Sequence, residues 1–202
     1  MPDPATPLGP RASRPQPRRP RQHAGWRSRG YLPHLDAPEL IQHVIFRLAD
    51  SLPARIREEI AKISTSDRVQ AVDALLDQGY GRRDLEICEI AELVQDALLR
   101  FDGERYSLIA WCVMPNHVHT LIETRMGHRL DRVVHARKSF TAKQANRWLK
   151  RDRAFWAPEY FDRYMRDDAH FTATRAYIER NPVKAGLCQE VSDWHFSSAW
   201  LE

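Results

Sequence analysis

The sequence predicts an α+β fold, a ferredoxin-like sandwich with an antiparallel sheet and helices on one face, ending in a C-terminal helix that carries a tyrosine of interest. Three observations predict it. Two apolar-rich runs between Tyr106 and Glu123 flank Met114-Pro115-Asn116, which is the pattern of a hairpin closed by a tight turn. Stretches with helical spacing precede and follow that hairpin. The order reads strand, helix, strand, strand, helix, strand, helix.

Each element has its own signal. Residues 1–24 are rich in Pro and Arg with almost nothing to bury, the composition of a disordered basic arm. A single domain is expected from residue 25 to 202. Its first strand is expected over Leu40–Leu48, and Pro53 opens a helix in which Ile56, Ile60 and Ile63 recur at helical spacing. Residues 65–88 are polar, punctuated by Gly79 and Gly81, and read as an insertion without an assigned role. A second helix spans Ile90–Phe101, followed by the hairpin. Leu130–Leu149 is helical again, with Val133, Val134, Ala145 and Trp148 facing inward and Lys143, Arg147 and Arg151 sharing another face. Tyr160–Met165 reads as a short strand. Asp167 or Asp168 caps a last helix that runs to Asn181, where Pro182 stops it.

At 202 residues the chain suits one core-bearing domain. It has no apolar run long enough for a bilayer and no secretory leader, so a cytosolic protein without a membrane partner is expected. Cys88, Cys112 and Cys188 are odd in number and far apart, which points to reduced packing residues rather than to a disulfide framework or a cysteine zinc site. The net charge of +4 is unevenly spread: residues 1–29 carry seven Arg and one Asp, and residues 125–153 carry 10 basic and 2 acidic side chains. A polyanion has two places to bind on a chain whose remainder is acidic.

His117 and His119 lie two apart on a predicted strand and so project from one face. Two readings fit: a seat for a metal ion, or two polar residues on an exposed face. Tyr177 and Asn181 are four apart on the last helix and share a face, while Phe171, Thr174 and Ile178 form a neighbouring stripe that can pack on the sheet. That helix could hold a phenol and an amide beside the histidines. Equally, Tyr177 fits a boundary aromatic with its hydroxyl in water, and Asn181 a residue that ends a helix.

Four segments in order resolve the ambiguity. They are Trp26-Arg27-Ser28-Arg29-Gly30-Tyr31-Leu32-Pro33-His34, Trp111-Cys112-Val113-Met114-Pro115-Asn116-His117-Val118-His119, Tyr160-Phe161-Asp162-Arg163-Tyr164-Met165-Arg166-Asp167, and Tyr177 through Leu187. Together they resemble the REP-associated tyrosine transposases, of the HUH single-tyrosine superfamily, from about Gly25 to the C-terminus. The resemblance implies that His117 and His119 are metal-binding and catalytic, that Tyr177 is the nucleophile, and that Mg²⁺ or Mn²⁺ is the cofactor. In better-known relatives a Gln one turn after the tyrosine completes the metal site; this chain has Asn181 there, one methylene shorter. The resemblance further implies single-stranded or hairpin DNA from repetitive extragenic palindromes as the partner, a homodimer as in simple relatives, and a cytoplasmic protein associated with the nucleoid when bound to DNA. Within the basic segment, Lys138, Lys143, Arg147 and Arg151 are the expected contacts to the DNA backbone. Arg163 and Arg166 fit phosphate contacts and surface salt bridges equally well. Two other functions compete: a non-catalytic nucleic-acid-binding module on the same fold, and a hydrolase in which water attacks in place of tyrosine.

Overall fold

The computed structural model describes residues 25–29, 32–53, 55–56, 58, 60, 71–72 and 74–200. The basic arm expected over residues 1–24, Ile63, and the first part of the segment read as an insertion lie outside these. Strands β1 (Gly25–Arg29) and β2 (Leu32–Asp36) pair as an antiparallel hairpin of their own, an element that the apolar pattern does not announce. The main sheet is built from β3 (Ile41–Arg47), β4 (Tyr106–Val113), β5 (His117–Thr124) and β6 (Phe161–Tyr164). Its order is β4-β5-β3-β6 with every neighbouring pair antiparallel. The first and third of the four strands therefore lie in the middle, the ferredoxin-like arrangement that the element order predicts.

Central strands of this sheet are covered on both sides. Every residue of β5 except Glu123 is buried, so the usual alternation of apolar and polar residues is absent. Val118 and Ile122 face the helices α1 (Cys88–Leu99) and α2 (Leu130–Trp148), in a core with Val44, Phe46, Val94, Leu98, Val133 and Val134. These two helices share one face, as expected. The next residues along the strand turn the other way, where Leu121 packs with Ile178 of α3 (Asp168–Lys184). The C-terminal helix thus covers the opposite face, towards which the histidines point, so the expected placement of helices on one face holds for α1 and α2 but not for α3.

Two details differ from expectation. Trp148 is 52 % exposed rather than inward. The buried seam of α2 runs Leu130, Val134, Arg137, Thr141, Ala145, so the next inward position is Leu149, which packs against the core while Trp148 overhangs solvent. Second, α3 begins as predicted, with the Asp167 side chain accepting from the backbone N–H of His170, but it passes through Pro182 to Lys184. Proline removes one intrahelical donor. So close to the end the loss is local, because Ala185 N–H still reaches Asn181 O at 2.9 Å and Leu187 N–H reaches Pro182 O at 2.9 Å. Gly186, at φ +70°, then ends the turn.

The described part of the segment 65–88 is packed, not pendant. Residues 71, 72 and 74–76 are helical, and Val72 and Leu76 are buried with Ile45, Leu52, Ile60 and Phe161. Full burial of such side chains is worth about 1.5–3 kcal/mol each, so this piece is held to the face of the sheet that carries the histidines. Ile56 joins the same cluster, in keeping with the predicted helix after Pro53. Among the cysteines, all three are free and only Cys112 is fully buried; Cys88 is exposed at the start of α1. No described helix is long and apolar enough to cross a membrane.

Candidate active site

Strand β5 delivers His117 and His119 to the face covered by α3, and neither has any exposed surface. Their Nε2 atoms converge to 2.9 Å. The amide of Asn181, also fully buried, meets His119 Nε2 at 2.9 Å through its Nδ2, while its Oδ1 has no hydrogen-bond partner. Amide nitrogen and oxygen are interchangeable by a half-turn of the side chain, so Asn181 can offer the oxygen to the same point. Tyr177, half-buried one turn earlier on α3, lies edge-on to His119 with ring centroids 5.8 Å apart. The structure therefore brings His117, His119, Tyr177 and Asn181 together within a single chain.

Hydrogen bonds fix how the histidines present themselves. His117 Nδ1 meets Asn116 Oδ1 at 2.6 Å, and the Nδ2 of Asn116 donates to Leu76 O and Tyr80 O. Because Asn116 is held by those two carbonyls, its oxygen must face His117, and His117 Nδ1 must carry the hydrogen. The lone pair of His117 is left on Nε2. Burial pushes the pKa of His117 well down and that of His119 down to about 4, so both rings are neutral near pH 7 and able to ligate. The donor set fits a divalent ion: two ligands about 2.1 Å from a metal on perpendicular axes are about 3 Å apart, close to the spacing seen between the two Nε2 atoms.

Three further residues belong to this cluster and carry no local signal that sequence reading could use. His43 on β3 sits with its Nε2 at 3.0 Å from His119 Nδ1. Asp77, from the segment read as an insertion, has Oδ1 at 4.0 Å from His117 Nε2 without a hydrogen bond of its own. Its Oδ2 accepts from Lys184 Nζ at 2.6 Å, and that ammonium lies 5.1 Å from the centroid of the Tyr177 ring. Beside His117 a cavity of about 180 Å³ opens, lined by Asp77, Gly79, Arg83, Pro115, Asn116 and Leu187.

The basic residues named for DNA are placed elsewhere, on the α2 side of the sheet. Lys143 and Arg147 are exposed, next to exposed Phe140 and Trp148. Lys138 is turned inward: Nζ donates to Ala157 O at 2.7 Å and Pro158 O at 2.9 Å, and burial lowers its pKa to about 8. Arg151 is occupied by an ion pair with Asp84 and a bond to Asn146 Oδ1. Of the four, Lys143 and Arg147 stand open to solvent.

The chain is similar to several known proteins. Residues 88–181 match the family model described as "Transposase IS200 like". A REP-associated tyrosine transposase of Escherichia coli is 28 % identical over 110 residues, covering 53 % of this chain and 63 % of that protein. A Haemophilus influenzae protein described as a candidate REP-associated tyrosine transposase is 27 % identical over 103 residues, covering 46 % of this chain and 58 % of its own length. These matches span less than two thirds of either relative. In fold, the chain is similar to the structure of a REP-associated tyrosine transposase bound to a REP hairpin, with a TM-score of 0.51 and 18 % identity over 82 % of this chain and 79 % of that one. On the four ordered motifs, the family-model match over residues 88–181 and the shared fold, the chain is similar to the REP-associated tyrosine transposases.

Proposed function

We propose that the protein cuts and rejoins single-stranded or hairpin DNA, with Tyr177 as nucleophile. The observation that carries this reading is the placement of Tyr177 edge-on to His119 beside Asn181, inside one buried cluster. A free tyrosine has a pKa near 10, so only about one in a thousand is phenolate at pH 7. The phosphate must be activated and oriented instead. His117, His119 and the oxygen of Asn181 would hold Mg²⁺ or Mn²⁺, which when bound polarises a non-bridging phosphate oxygen and offsets charge in the transition state. Asn116 keeps the His117 lone pair aimed at that point, and the stripe Phe171, Thr174 and Ile178 docks α3 so that the phenol stays beside it.

Tyr177 Oη attacks phosphorus as the P–O bond to the departing 3′ oxygen breaks. This leaves a 5′-phosphotyrosine and a 3′-hydroxyl. The ester conserves the energy of the broken bond, so attack by another 3′-hydroxyl releases Tyr177 and joins the strands without ATP. Lys143 and Arg147, flanked by Phe140 and Trp148, supply charge and stacking surface for the DNA backbone and bases. The activity places the protein at the nucleoid when DNA is bound; a homodimer is not needed to complete the cluster.

The test incubates wild type and Tyr177→Phe with labelled hairpin DNA and Mn²⁺ and reads covalent protein–DNA adducts on denaturing gels. An adduct with wild type alone, lost on chelation, is the expected outcome. Equal cleavage by both proteins would transfer the reaction to water. Binding without cleavage across several hairpins would make this a binding module.

A further inference from the structure

We propose that His43 is a positioning residue for the metal site, acting on His119 as Asn116 acts on His117. The proposal rests on the metal-binding reading above and goes beyond it. His43 lies on β3, next to β5 in the sheet and diagonal to His119, since Ile45 is the residue in register with His119. Its side chain is 7 % exposed and stacks on His119 with centroids 5.2 Å apart and an interplanar angle of 20°. Its Nε2 stands 3.0 Å from His119 Nδ1, and its ring also meets Tyr177 edge-on at 6.4 Å.

The need for an acceptor follows from hydrogen count. A neutral imidazole has one N–H. If His119 turns the lone pair of Nε2 towards His117 Nε2 and Asn181, its hydrogen is on Nδ1, in a fully buried place. A ligating histidine ordinarily donates that hydrogen to a neighbour, which fixes the ring and raises its basicity. Here His43 Nε2 is the acceptor, and His43 then carries its own hydrogen on Nδ1.

Unlike the oxygen of Asn116, a histidine nitrogen can also donate. Without a cation, two bare Nε2 atoms would face each other at 2.9 Å; the pair avoids this if His43 Nε2–H donates to His119 Nδ1 and His119 Nε2–H donates to His117 Nε2, with Asn181 turned so that Oδ1 rather than Nδ2 faces His119. Loading the site moves the hydrogen of each ring from Nε2 to Nδ1. Each ring keeps one hydrogen and no charge changes.

The experiment measures Mn²⁺ affinity by electron paramagnetic resonance of the free ion for wild type, His43→Phe, His43→Gln and His119→Ala, with near-UV circular dichroism as the check on folding. His43→Phe is expected to weaken Mn²⁺ binding about 10- to 100-fold, and His43→Gln, which restores an acceptor, to recover much of the loss. A folded His43→Phe protein that binds Mn²⁺ within about twofold of wild type would overturn the proposal while leaving the metal site intact. Absence of any wild-type binding that His119→Ala abolishes would overturn the metal reading and this proposal with it. Should the Phe variant not fold, long-range ¹H–¹⁵N spectra of wild type loaded with Mg²⁺ decide: His119 with its hydrogen on Nδ1 supports the role, and the Nε2–H form rejects it.

Discussion

His34 shows how much one side chain can hold in this protein. Only 3 % exposed, it bonds Asp162 through Nδ1 and faces Glu159 through Nε2 at 3.4 Å, while Asp162 also accepts from Leu35 N–H and Gln42 Nε2. Burial alone would lower its pKa, but the Asp162 and Glu159 carboxylates outweigh it and raise the value above 6.5. A histidine whose folded pKa is raised contributes stability that is fully present below 6.5, its unfolded value, and is lost as pH rises through the folded value. The melting temperature of wild type should therefore exceed that of His34→Gln by more at pH 5.5 than at pH 8.5. A gap that is constant or grows with pH would show that His34 acts as a neutral donor. At this scale the sequence yields residue types and spacings but not their partners: the motif segments that contain His34 and Asp162 are both visible, and nothing in either says that they touch.

Among the elements, the hairpin β4–β5, both long helices and the N-cap of α3 are readable because their signals are local: a turn between apolar runs, helical spacing, an Asp before a first turn. What escapes is whatever depends on a distant neighbour. Trp148 looked inward by spacing alone, and only the seam of α2 shows that Leu149 takes that place. His43 could be put on a strand, yet its meeting with His119 depends on the register between β3 and β5. The turn after Leu76 is a further case. Gly81 has φ +75°, and a Cβ there would come within 2.2 Å of Asp50 O. Gly81→Ala is expected to cost more than about 1 kcal/mol, for both the positive φ and the backbone clash. Because Tyr80 O and Leu76 O hold Asn116, which in turn holds His117, the same change should weaken Mn²⁺ binding; chemical denaturation and metal titration of one sample check both.

Across the whole molecule, charge and chemistry occupy different layers. The cluster around His119 lies between the sheet and α3, whereas the open cations Lys143 and Arg147 lie on α2 across the sheet. Backbone contacts to single strands lower log affinity by about 0.7 per contact for each log unit of salt. Replacing both Lys143 and Arg147 by Ala should reduce that slope by about 1.4 if each makes one contact, with little effect on cleavage at saturating DNA. Lys138→Ala, by contrast, should lower the melting temperature, because its ammonium ties α2 to the carbonyls of Ala157 and Pro158. An unchanged slope in the double variant, read by fluorescence anisotropy, would remove α2 from the DNA path.

The docking of the β1–β2 hairpin has a consequence for synthesis. A ribosome releases the chain N-terminus first, yet the buried partner of His34 is Asp162, 128 residues downstream, and Asp36 caps α2 by accepting from Leu130 N–H, 94 residues downstream. The hairpin made early therefore waits for the chain made late. Asn181 reaches His119 across 62 residues in the same way. A nascent or prematurely terminated chain that carries the histidines but not α3 lacks Tyr177 and Asn181, so under the proposed mechanism cleavage is withheld until α3 has been made.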